Sequence, residues 1–174
     1  MFHLVSTVMA ISLAALAIGT GGGWISMSVV PRREAATLAA SGFEALAAAA
    51  TAYRIANGAM PSAAPNGRLP ADLVPAYVEP PRAPHGMEWS YGVTEGNRAW
   101  VCLHGPAVSE PQWEGLAVAL RSRPAGSAGL VSAEGASGAC GARVSAEEGE
   151  GDLAVGDPPG TFPVPAFMTF NLFH

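Results

Sequence analysis

Lysine is absent from this chain, so nine arginines carry all of its fixed positive charge against fourteen acids, for a net charge of -5. The arginines are scattered and form no basic stripe, which excludes an electrostatic footprint for nucleic acid. The lack of lysine beside abundant alanine resembles the codon usage of a GC-rich bacterial genome. Catalytic signatures are also missing. No GxSxG elbow, HExxH helix or P-loop occurs. His85 and His104 sit in no motif and are expected to be surface or structural histidines. Cysteine is scarce: Cys102 and Cys140 belong to no CxxC, and Cys102 with His104 offers two ligands where a structural zinc needs four. The acids Glu147, Glu148, Glu150 and Asp152 lack the spacing of a calcium loop and read as a solvated charge run. No catalytic, cofactor or metal residues are therefore assigned, and the chain is expected not to be an enzyme.

Charge of either sign is absent from residues 1–31, the first charged side chain being Arg32. Most of Leu4 to Val30 is apolar, and as one α-helix it would measure about 40 Å against a hydrocarbon core of about 30 Å. Residues 1–31 are accordingly read as a transmembrane anchor. Two other readings stay open. Ala15-Leu16-Ala17 offers a small-residue cleavage site for a secretory signal, although no Lys or Arg lies upstream, and a long apolar run also suits a buried core helix. Gly19 and Gly23 form a GxxxG pair that lets two helix backbones approach closely, or else mark a flexible kink.

Beyond the anchor about 140 residues remain, the size of one small domain. An even pair of cysteines beyond a membrane or signal segment reads as a disulfide in an oxidising compartment. Closing that loop stabilises the fold by roughly 4 kcal/mol in the chain-entropy treatment. Two unrelated buried thiols are the alternative. Arg32 and Arg33 after the span would place the domain in the cytoplasm by the positive-inside rule, whereas the disulfide points outward. Two arginines next to Glu34 are the weaker signal, so an outward-facing domain is expected.

Pro31 suits the first turn of a helix. Residues 32–58 form an Ala-rich helical extension, in which Leu38, Leu46, Ala49, Ala50 and Tyr53 share an apolar stripe and Asn57-Gly58 supplies the stop. Residues 59–174 form a small α+β domain. It opens with a proline-rich loop from Pro61 to Pro84, in which only Leu69 to Val78 can dock a short turn or strand. Trp89, Tyr91 and Val93, then Ala99, Val101 and Leu103, alternate on either side of the turn-like Thr94 to Asn97, which predicts an antiparallel hairpin. Ser109-Glu110-Pro111-Gln112 predicts a capped helix burying Trp113, Leu116, Ala117 and Leu120. Leu130-Val131 suits a third strand. Residues 145–163 are acidic, contain Gly and Pro, and are expected to be an exposed loop. Phe167 to Phe173 suits a terminal strand, with Phe167, Phe170 and Phe173 at a partner-facing or core-closing edge. Trp89, Trp100 and Trp113 are expected in the core rather than on a ligand platform.

An apolar amino-terminal helix, an Ala-rich extension ending in Tyr53-Arg54-Ile55-Ala56-Asn57-Gly58, a proline-rich loop and a small sheet resemble the architecture of type IV pilin-like proteins. The resemblance covers the whole chain and implies an α+β fold with a long helix packed on a small antiparallel sheet. It also implies that the helix assembles the subunit while the sheet and a disulfide loop, here Cys102 to Cys140, face outward. Prepilins carry a basic leader ending in Gly and a Glu early in the mature helix, and this sequence has neither. It is therefore more similar to PilM-type accessory proteins of thin-pilus systems, small inner-membrane proteins with an uncleaved helix. The resemblance implies a single-pass component of a type IV pilus or related secretion machine. Its partners would be the bacterial inner membrane and other pilus or secretion components, with the domain in the periplasm. The alternatives are a secreted or periplasmic ligand-binding domain released after Ala17, and a hydrolase using Cys102 and His104.

Overall fold

In the computed structural model, the residues described are 28–64, 66–94, 98–124, 127–132, 140 and 159–172. The chain divides into two compact units, Met1–Val30 and Pro31–His174. Gly19, Gly23 and Phe173, and the membrane span as read from the sequence up to residue 27, lie outside the described residues.

The first element is helix α1, Val29–Asn57. Its buried positions are Ala35, Ala39, Gly42, Leu46, Ala49 and Ala50, and the half-buried Tyr53 extends them. Steps of four and three residues make a narrow seam along one side of a helix. The seam is built of small residues, so whatever covers it comes close to the backbone. Trp89 shows how close: a Cβ added to Gly42 would lie 2.4 Å from its ring. The expected stripe is corrected at Leu38, which is only half-buried beside this seam. The seam of the Ala-rich helix contributes Ala35, Ala39, Leu46, Ala49 and Ala50 to the core.

The sheet is four-stranded and antiparallel, in the order β1-β2-β4-β3, with β1 Glu88–Val93, β2 Ala99–Val108, β3 Ala128–Ser132 and β4 Val164–Asn171. The expected antiparallel hairpin is present, and its register pairs Trp89 with Leu103, Tyr91 with Val101 and Val93 with Ala99. Those residues share the face that α1 covers, since side chains alternate along a strand. Phe170 and Met168 of β4 and Leu130 of β3 join them and are fully buried. Phe43 of α1 stacks on Phe170 with ring centroids 4.2 Å apart. A long helix on a small antiparallel sheet is the α+β arrangement expected.

Helix α2, Glu110–Arg121, follows β2 and begins at the predicted cap. Gln112 Oε1 accepts from the Ser109 backbone N–H at 3.0 Å and from its hydroxyl at 2.9 Å, fixing the first turn. Trp113, Leu116, Ala117 and Leu120 are buried as their spacing predicts. Gly115 lets α2 lie on α1, because a Cβ there would be 2.3 Å from the Arg32 carbonyl oxygen. Arg32 pairs with Glu114 at 3.1 Å across the crossing. Further along the two helices, Arg123 donates to Glu44 at 3.0 Å and lies over the Phe43 ring at 4.7 Å.

The proline-rich segment closes the remaining side of the core. Backbone N–H groups of Leu73 and Val74 both donate to the Pro70 carbonyl, making a turn that buries Leu73 completely. Tyr77 from this turn meets Tyr53 edge-on at 5.5 Å. The Tyr91 hydroxyl donates to the Pro61 carbonyl at 2.8 Å, so the loop is held to the sheet from inside.

Candidate interaction surface

The sequence singles out the cysteine pair and three phenylalanines, and the sheet puts Cys102 and Phe167 on one face and Phe170 on the other. Cys102 lies at the centre of β2, in register with Ser90 of β1 and Thr169 of β4. Since Tyr91, Val101 and Phe170 face α1, the row Ser90, Cys102 and Thr169 faces the other way. That row is nevertheless buried, and Cys140 contributes to its cover. The disulfide between Cys102 and Cys140 is formed, with Cα atoms 5.6 Å apart across a sequence separation of 38. The Ser90 hydroxyl donates to Cys140 Sγ and to the Cys102 carbonyl, each at 3.4 Å, and Thr169 Oγ1 lies 3.7 Å from Cys102 Sγ. Cys102 is fully buried, so a hydrolase nucleophile at this position is overturned: the sulfur is in a disulfide and is no thiolate.

The phenylalanine reading needs a correction. β4 is hydrogen-bonded on both sides, to β2 and to β3, so Phe167 and Phe170 lie on an interior strand and not at an edge. The edges are β1 and β3. Richness in aromatic residues here reflects a strand enclosed by neighbours on both sides, which favours large apolar side chains as strongly as a partner surface does. Phe170 is core. Phe167 points to the outer face, half-buried, and stacks on His104 of β2 with centroids 6.0 Å apart.

The outer face therefore offers a ring of half-buried groups around the cystine: Trp100, His104, Phe167 and Val131. Trp100 packs across the strand over Gly92, where an added Cβ would lie 2.1 Å from its ring. A bare glycine opposite an aromatic residue leaves room for the ring to lie flat on the neighbouring strand. Of Trp89, Trp100 and Trp113, the first and last are core as expected and Trp100 is not. The expected loop 145–163 lies largely outside the described residues. Its end is docked, since Phe162 meets Trp113 edge-on at 6.4 Å.

Among the described residues no group of three His, Cys, Asp or Glu is placed to hold a metal ion. Among the described residues, Tyr91 has a displaced proton affinity, its hydroxyl pushed up to about 12 by burial first and by the neighbouring Tyr53 second. That group is locked in the core by its bond to Pro61 and is out of reach of a substrate.

One described helix, α1, is long and apolar enough to cross a membrane by length and composition. Its seam is already spent on the core, so the charge-free run that precedes Arg32 is the better candidate for a span. An apolar amino-terminal helix with a disulfide beyond it fits a membrane-held or secreted protein. No family model, curated protein or solved structure matches the chain.

Proposed function

We propose that the protein is a non-enzymatic, single-pass membrane component of a type IV pilus or related secretion machine, acting as a minor pilin-like subunit or a basal-body accessory. The observation that carries the reading is that a charge-free apolar stretch is followed by a long helix packed on a small antiparallel sheet. That helix, α1, starts at Val29, inside the uncharged stretch, and ends as the central core helix of the sheet domain. The cystine on the outer face suits an oxidising, extracytoplasmic location. The protein then works by packing its helix in the inner membrane and docking its outer domain on neighbouring components.

The test is deletion of the gene in its own bacterium, with counts of surface pili and of pilus-dependent transfer or secretion. Loss of these, restored by the wild-type gene, together with recovery of the chain in carbonate-washed inner membranes, supports the proposal. Normal assembly in the deletion strain, or a soluble periplasmic chain beginning at Ile18, would instead favour a secreted ligand-binding domain.

A further inference from the structure

The cystine on the outer face is asymmetric. Cys102 sits in the middle of β2, with a paired strand on each side, and is fully buried. Cys140 comes from outside the four strands and is partly exposed. The two sulfurs share one bond, yet of the two residues Cys140 is the one that meets solvent.

Their polar neighbours complete the asymmetry. Ser90 of β1 and Thr169 of β4 flank Cys102 in register and are buried with it, and Gly129 of β3 ends the row without a side chain. The Ser90 hydroxyl donates to Cys140 Sγ at 3.4 Å, and the Thr169 hydroxyl donates to Cys102 Sγ at 3.7 Å. Cys102 Sγ thus lies in a short polar row closed to solvent, with a hydroxyl hydrogen already directed at it.

A disulfide is made, broken or exchanged when a thiolate attacks one of its two sulfurs through a mixed disulfide, and access decides which sulfur is attacked. Burial in the sheet closes the approach to Cys102. We propose that Cys140 is the exchange site of this cystine in the folded chain, its partner being a thiol or the dithiol of a thiol–disulfide oxidoreductase, and that Cys102 is always the internal sulfur. In the reducing direction the partner's thiolate bonds to Cys140 Sγ as the Cys102–Cys140 bond breaks, and the electron pair leaves on Cys102 Sγ. The Thr169 hydroxyl then donates to a sulfur that carries charge, where a hydrogen bond is strongest. The partner's second thiolate attacks its own sulfur in the mixed disulfide and expels the Cys140 thiolate. The partner ends as a disulfide, and its two protons end on the two cysteines. Oxidation is the reverse: Cys140 accepts the partner's sulfur first, and the Cys102 thiolate then attacks Cys140 Sγ and expels the partner.

The test uses the wild-type chain in detergent micelles with reduced glutathione as the probe. The reaction is stopped with acid at low conversion, while near-ultraviolet circular dichroism is still that of the folded chain, and free thiols are alkylated with N-ethylmaleimide. Trypsin cuts after Arg98, Arg121 and Arg143, which puts Cys102 on the peptide beginning at Ala99 and Cys140 on the one beginning at Ser122, so mass spectrometry reads them separately. Glutathione is expected on Cys140 at least about tenfold more often than on Cys102, and about equally on both when the chain is unfolded in urea. Equal occupancy in the folded chain, or a preference for Cys102, would overturn the proposal. So would a chain that takes up no glutathione until urea unfolds it, or a preference for Cys140 that persists in urea and therefore owes nothing to the fold.

Discussion

Gly115 gives the sharpest test of the packing, because the account predicts the sign of its effect as well as the size. A Cβ added there would lie 2.3 Å from the Arg32 carbonyl oxygen, 2.9 Å from Ala35 Cβ and 3.1 Å from the Ala36 nitrogen. Two of these are backbone atoms of a long helix and cannot rotate away. Ordinary contacts are about 3.5 Å or more, so α1 and α2 must part by about 1 Å. Overpacking of this kind costs about 1–3 kcal/mol, and a rigid neighbour puts Gly115→Ala near the top of that range. Against it, alanine is favoured over glycine inside a helix by about 1 kcal/mol. The net expectation is a loss of about 2 kcal/mol, or about 6 °C in Tm for a domain of this size. Thermal unfolding of the full chain in detergent micelles, followed by near-ultraviolet circular dichroism, measures it. Gly160→Ala, where an added Cβ meets nothing within 4 Å, is the control and should change stability by less than about 0.5 kcal/mol. A Gly115→Ala protein that melts higher than wild type would refute the close crossing, because only an uncrowded helix gains from the exchange.

Other perturbations follow from the same contacts. Replacing both Cys102 and Cys140 with serine removes the closure of a 38-residue separation and should cost about 4 kcal/mol, read as a lower denaturant midpoint, with the wild-type pair recovered in non-reducing peptide maps. Because the Tyr91 proton is held more tightly in the folded chain than in the unfolded one, its contribution is intact below pH 10 and is lost as pH rises towards 12. Wild type should therefore lose about 3 kcal/mol more than Tyr91→Phe between those limits, and equal losses in pH-dependent unfolding would contradict the burial of that hydroxyl. Arg123→Gln gives up the Glu44 pair and the position over Phe43 from a mostly buried site, and should destabilise by about 1–2 kcal/mol. Arg32→Gln breaks a half-exposed pair and should cost less than about 1 kcal/mol in the same melts.

Local patterning made much of this fold legible. Alternation around Trp89 to Leu103 gave the hairpin, and the Ser109 to Gln112 cap gave the start of α2, because each signal lies within a few residues. What could not be read depends on distant partners. The seam of α1 is set by where Trp89 and α2 lie, so Ala35, Ala39 and Gly42 outrank the larger Leu38. β4 was misplaced for a related reason. A strand that is last in sequence looks like an edge, yet insertion between β2 and β3 needs long-range pairing that no window of residues records. The outer face was missed altogether. Trp100, His104 and Phe167 come from two strands, and only the pairing of β2 with β4 assembles them around the cystine. A signal was present in Gly92, opposite Trp100, but it is visible only once the register is known.

The central claim is that the uncharged stretch stays on the chain and holds the domain to a membrane. Intact mass spectrometry of the protein from carbonate-washed membranes tests it directly. The account predicts the full 17.7 kDa chain, lighter by the two hydrogens of one disulfide. A shorter species beginning at Ile18 and recovered from the soluble fraction would contradict it.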